Sequence, residues 1–342
     1  MRKSRQLRVV AIGGGTGLST LLRGLKSYVA PAPGTPQPAY PTPQPRPALI
    51  GELSAIVAVT DDGGSSGRLR EDLNILPPGD IRNCMVALSP EEALLSRLFQ
   101  YRFENGDLQG HSFGNLFLAA LTGITGDFAQ AVQTSSQILA SRGRIYPCTV
   151  ANATISARMD DGSIVHGETN ITASQRSIVE LMLSPTDAAA LPEALDAIAS
   201  ADLITIGPGS LYTSLITNLL VRDVPQAIAR SSATRVFICN LMTQANESLG
   251  LTASQHIEKI LDHAGSQIFD YALINTAKVD DRILDHYARS GQSPIEADLD
   301  RVRSLGVEPI TGSFVHQGQV LRHSYDVLAE TVLQLALQTS AV

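Results

Sequence analysis

The stretch VAVTDDGGSSGRLR, residues 57–70, decides the fold and marks the first candidate site. Apolar residues at 56–59 predict a short buried strand, and two adjacent carboxylates, Asp61 and Asp62, follow where it ends. The two glycines after them let the backbone turn with positive φ and approach a ligand closely. This order of residue types is expected of a loop that binds phosphate or hydroxyl groups at the end of a strand.

The residues that follow the two glycines are predicted to begin a helix. Ser65 or Ser66 is expected to cap it, and the free N–H groups and dipole of the helix favour an anion. Asp61 and Asp62 are placed to hold a divalent cation such as Mg²⁺, or ribose-like hydroxyls. An Asp-Gly turn before an ordinary helix is the simpler alternative for this segment alone. Repetition of the pattern in four other segments favours a ligand site.

The composition is that of an ordinary globular protein. With 342 residues, of which 44% are hydrophobic, the chain is long enough for one α/β domain with a large core. A net charge of −7 argues against binding nucleic-acid polymers or anionic membranes, so any phosphate site must be local. The three cysteines are far apart and follow no disulfide or zinc-site spacing, which fits a reducing compartment. No apolar run approaches the ~18 residues that span a bilayer. We expect a cytoplasmic protein without membrane insertion.

The N-terminal segment repeats the strand and glycine pattern. A β-branched run at 7–12 predicts a central parallel strand, a glycine-rich loop follows at 13–17, and leucines at helical spacing predict a helix over 18–28. Such a unit binds phosphate. Leu18 stands where the dinucleotide fingerprint needs glycine, and no Gly-Lys-Ser/Thr follows as in a Walker A loop. The sequence therefore gives little support to nicotinamide or ATP binding.

Residues 30–48 consist almost entirely of Pro, Ala, Gln and Thr. Such a composition cannot form a packed core and favours extended polyproline II. We interpret it as a flexible insertion in a single domain and assign it no function.

Two further loops carry polar residues at predicted helix starts. Prolines followed by Gly-Asp predict an N-cap at Asp80, with Arg82 and Asn83 in the first turn. Arg82 is a candidate phosphate clamp, since a guanidinium donates two parallel hydrogen bonds, although a lone arginine is more often a surface residue. His111 and Asn115 open a buried helix and need partners there; a ligand or a backbone carbonyl would serve.

The second half of the chain repeats the same alternation. Residues 149–171 have the alternating pattern of an antiparallel hairpin, and residues 203–206 form a buried strand that ends in Gly-Pro-Gly-Ser. We therefore predict an α/β, Rossmann-like fold with a mainly parallel sheet, helices on both faces and a small antiparallel β-meander. The added site candidates are Gly207, Gly209, Ser210 and Asn218.

These loops follow strands of a parallel sheet, so they are expected to meet at the carboxyl ends of the strands. There is no nucleophile elbow, no supported Cys/His dyad and no histidine pair at metal-ligand spacing. The chemistry indicated is binding of a phosphorylated, hydroxyl-rich molecule, and a nucleotide is the natural candidate.

Five motifs together resemble one family. They are GGGTGLS at 13–19, VTDDGGSSGRLR at 59–70, PPGDIRNC at 77–84, GHSFGNL at 110–116 and GPGSLYTS at 207–214. In this order they are similar to the YvcK-like gluconeogenesis factors, which are related to the CofD-like 2-phospho-L-lactate transferases. The resemblance runs from about residue 8 to 330, and only the insertion at 30–48 departs from it.

The resemblance implies a cytoplasmic protein that binds UDP-N-acetylglucosamine and is required for cell shape and wall synthesis during gluconeogenic growth, without a confirmed reaction. It also leaves room for a homo-oligomer and for a protein partner in cell-wall regulation. By motif match Thr16 and Asn218 would contact the ligand, and Phe269, Tyr287 and Arg322 would surround its uridine and phosphates.

Two functions from different classes follow. The favoured one is a nucleotide-sugar-binding regulator without turnover. The alternative is a transferase of a phospho-linked group, with Asp61 or Asp62 holding Mg²⁺ and Arg82 neutralising a diphosphate. The predicted ligand-binding residues are Gly14, Gly15, Thr16, Gly17, Asp61, Asp62, Ser65, Arg82, Asn83, His111, Asn115, Gly207, Gly209, Ser210, Asn218, Phe269, Tyr287 and Arg322.

Overall fold

A computed structural model describes residues 6–30, 46–89, 94–318 and 320–339. Most of the predicted 30–48 insertion lies outside these ranges. The strands are β1 Leu7–Gly13, β2 Ile50–Val57, β3 Arg144–Pro147, β4 Thr154–Met159, β5 Ile164–His166, β6 Ile178–Ser184, β7 Leu203–Ile206, β8 Thr234–Ile238, β9 Tyr271–Asn275, β10 Glu308–Gly312, β11 Val315–Gln317 and β12 Leu321–His323.

The helices alternate with these strands as predicted. They are α1 Gly15–Leu25, α2 Gly64–Leu73, α3 Gly79–Leu88, α4 Leu94–Gln100, α5 Phe113–Thr125, α6 Phe128–Ile138, α7 Glu168–Ala173, α8 Pro192–Ser200, α9 Thr217–Leu219, α10 Val224–Arg230, α11 Ala253–Ala264, α12 Asp281–Ala288, α13 Leu299–Ser304 and α14 Tyr325–Thr339. A π-helical segment, Leu211–Ile216, leads directly into α9.

The main sheet, within the described residues, has seven parallel strands in the order β10-β9-β8-β7-β1-β2-β3. Strands β2 and β3 lie on one side of β1, and β7, β8, β9 and β10 lie on the other side. The strand order therefore reverses between β1 and β7. In open parallel sheets a crevice opens outside the carboxyl ends of the strands at such a switch point.

Helices cover both faces of this sheet. Helices α1, α3 and α14 pack together against one face, and α8 packs against β1 and β3 with α10 beside it on the other. The central strands are apolar on both sides, as parallel strands between two helical layers must be; Ala11 and Ile12 of β1 are fully buried. The prediction of an α/β, Rossmann-like fold is confirmed.

The antiparallel meander is also present. Strand β4 pairs with β5 and β6 in a three-stranded sheet of its own, and β11 and β12 form a separate hairpin. The predicted turn of the hairpin, around Gly162 with its φ of +84°, lies between β4 and β5. This sheet shares no strand with the parallel sheet in the described chain.

Two predicted helix starts were wrong. The N-cap of α2 is Gly63, so Ser65 and Ser66 lie buried inside the first turn instead of capping it. The N-cap of α3 is Pro78, and Asp80 is the second helical residue. In both cases the cap lies upstream of the polar side chain, and that side chain makes long-range contacts instead.

Candidate functional site

The glycine loops at 13–17 and 207–209 pack against each other at the switch point. A Cβ on Gly17 would lie 2.3 Å from the carbonyl oxygen of Pro208, so only glycine allows this approach. Gly15 has a φ of +62° and Gly207 of +88°, which also favours glycine. The predicted loops therefore meet where β1 and β7 end.

The first N–H group of α1 is already bound by a carboxylate of the protein. The Gly15 N–H donates to Asp80 Oδ2 at 2.6 Å, while Gly14, the N-cap, offers no side chain. A Cβ on Gly14 would lie 2.8 Å from the same carboxylate oxygen. Asp80 therefore lies against the glycine loop. From the sequence it was predicted only as an N-cap and not as a site residue.

The two adjacent aspartates point to different partners. Asp61 Oδ1 accepts from the Gly63 N–H at 2.9 Å, and Asp61 also acts electrostatically on Asp80. Asp62 Oδ1 accepts from the N–H and the hydroxyl of Thr169, at 2.8 and 2.6 Å, in the first turn of α7. Asp61 therefore faces the crevice, while Asp62 holds the start of α7.

Two carboxyl groups in this crevice, those of Asp80 and Glu168, have raised pKa values. Burial and the nearby Asp61 raise the pKa of Asp80 to about 6, against the opposing effects of the Gly15 N–H and Arg82. Burial also raises the pKa of Glu168 to about 9, with further contributions from Asp61, Asp80, Glu247 and Asp62. Glu168 is the first residue of α7, and no motif in the sequence singled it out.

Within the described ranges no three His, Cys, Asp or Glu side chains are grouped so that they could hold a metal ion. Asp62 is turned away toward Thr169, so Asp61 and Asp62 do not chelate a cation together. Asp61 and Asp80 are the pair that could share one with the phosphates of a ligand, since Mg²⁺ commonly binds through one or two carboxylates and substrate phosphates.

Helices α2 and α5 meet through a buried polar cluster. Ser65 Oγ lies 3.0 Å from His111 Nδ1 and accepts from Asn115 Nδ2 at 3.0 Å. Burial, with Arg68 and Arg102 nearby, lowers the pKa of His111, so its neutral form is favoured. The Asn115 Oδ1 atom is buried and has no hydrogen-bond partner within the described ranges. The structure brings these three predicted residues together.

Two arginines lie beneath the same region. Arg82 lies across Gly114 at the start of α5 and donates to Asn83 Oδ1 at 2.7 Å. The buried Arg70 donates to the Ala153 carbonyl at 2.7 Å. Burial lowers the pKa of both guanidinium groups. One nitrogen of each, Nε of Arg82 and Nη1 of Arg70, has no hydrogen-bond partner in the part of the chain that the structure describes.

The loop after β7 is held by side chains from the segment that follows β8. Asn240 makes two hydrogen bonds to the Gly209 backbone, and Gln244 donates to Ser210 Oγ at 2.8 Å. Glu247 accepts from the Tyr212 N–H at 3.1 Å and from the Thr213 hydroxyl at 2.9 Å. These internal partners occupy amides that the sequence assigned to a ligand.

Asn218 is fully buried under the glycine loop. Its Nδ2 donates to the carbonyls of Gly13 at 3.0 Å and Ser214 at 2.7 Å, which ties β1 to the π-helical segment. No described residue donates a hydrogen bond to its Oδ1. Thr16 is exposed at the start of α1.

Tyr287 and Arg322 belong to a small cap over the carboxyl ends of β8 and β9. Tyr287 packs with Leu241 and Met242, which follow β8, and its hydroxyl accepts from the Leu321 N–H at 3.3 Å. Arg322 is exposed on β12. Both residues therefore lie on the crevice side of the sheet.

Phe269 is not brought to the crevice. It precedes β9, at the amino edge of the sheet, and is 1% exposed with its ring 5.3 Å from that of Phe237. The crevice lies at the carboxyl ends of the parallel strands, whereas Phe269 lies at their amino ends. Phe269 therefore packs in the core.

No helix in the described part of the chain is long and apolar enough to cross a membrane.

Comparisons with known proteins agree with this architecture. Residues 9–315 match the family described as 2-phospho-L-lactate transferase CofD. A gluconeogenesis factor of Halalkalibacterium halodurans is 44% identical over 98% of this chain and 99% of its own. The gluconeogenesis factor of Bacillus subtilis is 42% identical over 96% of this chain and 98% of its own.

A crystal structure of a Bacillus halodurans protein has the same fold. It superimposes with a TM-score of 0.88 at 44% identity, over 96% of this chain and all of that one. The agreement of family, relatives and fold extends across nearly the whole described chain, and the chain therefore belongs to the CofD family, among its gluconeogenesis factors.

Proposed function

We propose that this protein binds a nucleotide sugar of the UDP-N-acetylglucosamine type in the crevice at the switch point. In this proposal it acts as a regulatory gluconeogenesis factor needed for cell shape and wall synthesis during gluconeogenic growth. The role in gluconeogenesis rests on the name that its relatives carry. The UDP-N-acetylglucosamine class is what the motif resemblance implies, and the chemistry of the crevice supports a ligand rich in hydroxyl and phosphate groups.

The observation that carries the proposal is a concentration of buried polar atoms around the crevice that have no hydrogen-bond partner among the described residues. Buried polar groups are nearly always hydrogen-bonded, so each exception requires an explanation. A ligand rich in hydroxyl, amide and phosphate groups would supply the missing donors and acceptors. The atoms are Thr60 Oγ1, Arg70 Nη1, Arg82 Nε, Asn115 Oδ1, Asn218 Oδ1 and Gln244 Oε1.

The distribution of charge suggests how such a ligand would lie. Asp80 already accepts the hydrogen bond of the first amide of α1, so this amide is not available to a phosphate. The carboxylates of Asp61 and Asp80 would instead accept hydrogen bonds from ligand hydroxyls or bind a cation carried by the ligand. Arg82 and the exposed Arg322 are the cations available for the diphosphate. Thr16 and Tyr287 lie at the rim and complete the proposed contacts.

The test is calorimetric titration with UDP-N-acetylglucosamine, with and without Mg²⁺, while the ligand is assayed for turnover. Thr16→Ala and Arg322→Ala should each weaken binding by about tenfold, as expected for one lost polar contact. Thr186→Ala and Arg230→Ala are matched controls, since both side chains are exposed and make no hydrogen bond in the described chain. Unchanged affinity in both site variants would exclude this placement.

A second function is favoured by one specific observation. The matching family is described as a transferase, and Asp61 is close enough to Asp80 to raise the pKa of the Asp80 carboxyl group. With Mg²⁺ on this pair, the metal would neutralise a diphosphate and activate it for transfer of a phospho-linked group. Metal-dependent consumption of the ligand in the same titration would favour this function over regulation.

A further inference from the structure

A second polar pocket lies on the face of the sheet that α8 covers, toward the amino ends of β1, β2 and β3. Its volume is about 190 Å³, which suits a small metabolite. Because it opens at the opposite end of the strands, it is separate from the crevice, and the inference below is independent of the proposed nucleotide-sugar site. We call it the amino-side pocket; its charged and hydroxyl lining includes Glu52, Ser54, Arg144, Tyr146, Glu193 and Asp196.

The floor of the amino-side pocket is unusually polar for a parallel sheet, whose faces are normally apolar under helices. One row of side chains runs across neighbouring strands in the order Ile204, Val10, Ser54 and Arg144. The row is apolar on β7 and β1 and polar on β2 and β3. Ser54 and Tyr146 are only 7% and 6% exposed, yet their hydroxyls bond to no residue in the described ranges. Both hydroxyls are therefore available to a molecule in the pocket.

The wall of the pocket is the polar side of α8. Glu193 and Asp196 are three residues apart and so lie on one face of the helix, about 5–6 Å apart at their Cβ atoms. The buried residues of α8, Ala194 and Ile198, lie on a different side. The side of α8 that carries Glu193 and Asp196 therefore faces the polar part of the sheet, and its apolar side does not.

The charges of the pocket are not satisfied internally. Arg8 is paired with Asp202 at 3.3 Å, but Arg144, Glu52, Glu193 and Asp196 form no ion pair among the described residues. The pocket therefore offers three carboxylates and one guanidinium outside any ion pair of the described residues. Glu52 acts on Arg8 only at longer range, where it helps to raise the pKa of that guanidinium. On the sheet, Glu52 and Arg144 are one strand and two residues apart, which places their Cα atoms on the order of 8 Å apart.

We propose that the amino-side pocket binds a cationic α-amino acid of the lysine or arginine type. The α-carboxylate would pair with Arg144, the α-ammonium with Glu193 and Asp196, and the side-chain cation with Glu52. The hydroxyls of Ser54 and Tyr146 would bond to the remaining carboxylate lone pairs. This arrangement pairs every free charge in the pocket, which no anionic or neutral ligand does.

The test is calorimetric titration of the full chain with L-lysine and L-arginine at low ionic strength, with L-norleucine and L-glutamate as comparison ligands. At least one of the two cationic amino acids should bind with a Kd below about 1 mM, and neither comparison ligand should. Loss of one charge-assisted contact should weaken binding by about tenfold or more in Asp196→Asn and Arg144→Ala.

Asp187→Asn and Arg230→Ala are the matched controls and should bind like the parent chain. Thermal unfolding verifies that every variant is folded, which is expected at these exposed positions. Absence of binding by lysine and arginine up to about 10 mM, equal binding of norleucine, or full affinity in both pocket variants would each overturn the proposal. Titration with the nucleotide sugar should be unaffected in Asp196→Asn, which separates the two sites.

Discussion

At the residue scale, the glycines of the crevice are needed mainly because another part of the backbone lies too close for a side chain. Turn conformation is the less important reason. Gly17 belongs to α1 and has no positive φ, yet a Cβ there would meet the Pro208 backbone at 2.3 Å. The sequence predicted a glycine loop near a ligand, and the structure adds packing between two loops as the reason. A contact between residues 17 and 208 could not be read from local spacing.

Gly17→Ala should destabilise the protein by about 1–3 kcal/mol, the usual range for overpacking, since backbone atoms have to move. Gly123→Ala is the matched control, because it also lies in a helix. Apart from its chain neighbours and its own helix backbone, no atom of the described residues lies within 4 Å of a Cβ at this position. That change should be neutral or stabilise by up to about 1 kcal/mol. Urea unfolding measures both, and equal effects would contradict the packing account.

The pKa of Glu168, raised to about 9 by burial and by Asp61, gives a pH prediction. A carboxyl group with a higher pKa in the folded chain stabilises the fold at low pH, and this contribution is lost as pH rises from about 4 toward 9. Glu168→Gln removes the titration, so the variant should be more stable than the parent chain at pH 8.

The gain should be on the order of 1–3 kcal/mol at pH 8 and should disappear at about pH 4. Thermal unfolding across this pH range measures it, with the exposed Glu104→Gln as a control that should follow the parent chain. A gain that is the same at both pH values would show that Glu168 does not titrate as described.

At the element scale, helices of the site are capped by distant carboxylates. Asp80 binds the first amide of α1, Asp62 binds the first turn of α7, and Glu247 binds the start of the π-helical segment. Each carboxylate is stabilised by the positive end of the helix it meets. Their partners are 65, 107 and 35 residues away in the chain, so local capping rules could not predict these contacts.

Glu247→Ala should destabilise the protein by about 2–4 kcal/mol, since two buried donors, the Tyr212 N–H and the Thr213 hydroxyl, lose their acceptor. Glu247→Gln keeps one carbonyl acceptor and should cost less. Glu258→Ala, which breaks an exposed ion pair with Arg301, should cost less than about 1 kcal/mol. Chemical denaturation compares the three, and a loss in Glu247→Ala no larger than in Glu258→Ala would argue against the capping role.

At the scale of the whole molecule, the sequence predicted the sheet well because apolar, β-branched runs between helices allow few other folds. Strand β7 was predicted with its exact bounds, 203–206, and β1 with one residue missing. Ser65, His111 and Asn115 lie in motifs near glycine loops, and the structure brings their three side chains together. Asp80, Glu168 and Glu247 were missed because tertiary packing alone brings them to the site, and Phe269 was placed by resemblance without a local motif.

The proline-rich insertion gives a prediction for the whole chain. Arg46, near the end of the 30–48 insertion, is anchored by a 2.5 Å ion pair to Asp326 and by stacking on Tyr28. Replacing residues 31–45 by a Gly-Ser linker of equal length should therefore change the unfolding free energy by less than about 0.5 kcal/mol. A larger loss, or weaker nucleotide-sugar binding, would show that these residues contribute to the fold or the site.

Hydrogen–deuterium exchange with and without UDP-N-acetylglucosamine tests the central claim most directly, since it locates the ligand on the sheet. Binding at the switch point should slow amide exchange at the starts of α1, α2 and α5 and around residues 207–213, with little change at the amino ends of β1–β3. Protection confined to the amino ends, or no protection at a saturating concentration of the ligand, would contradict a nucleotide-sugar site in this crevice.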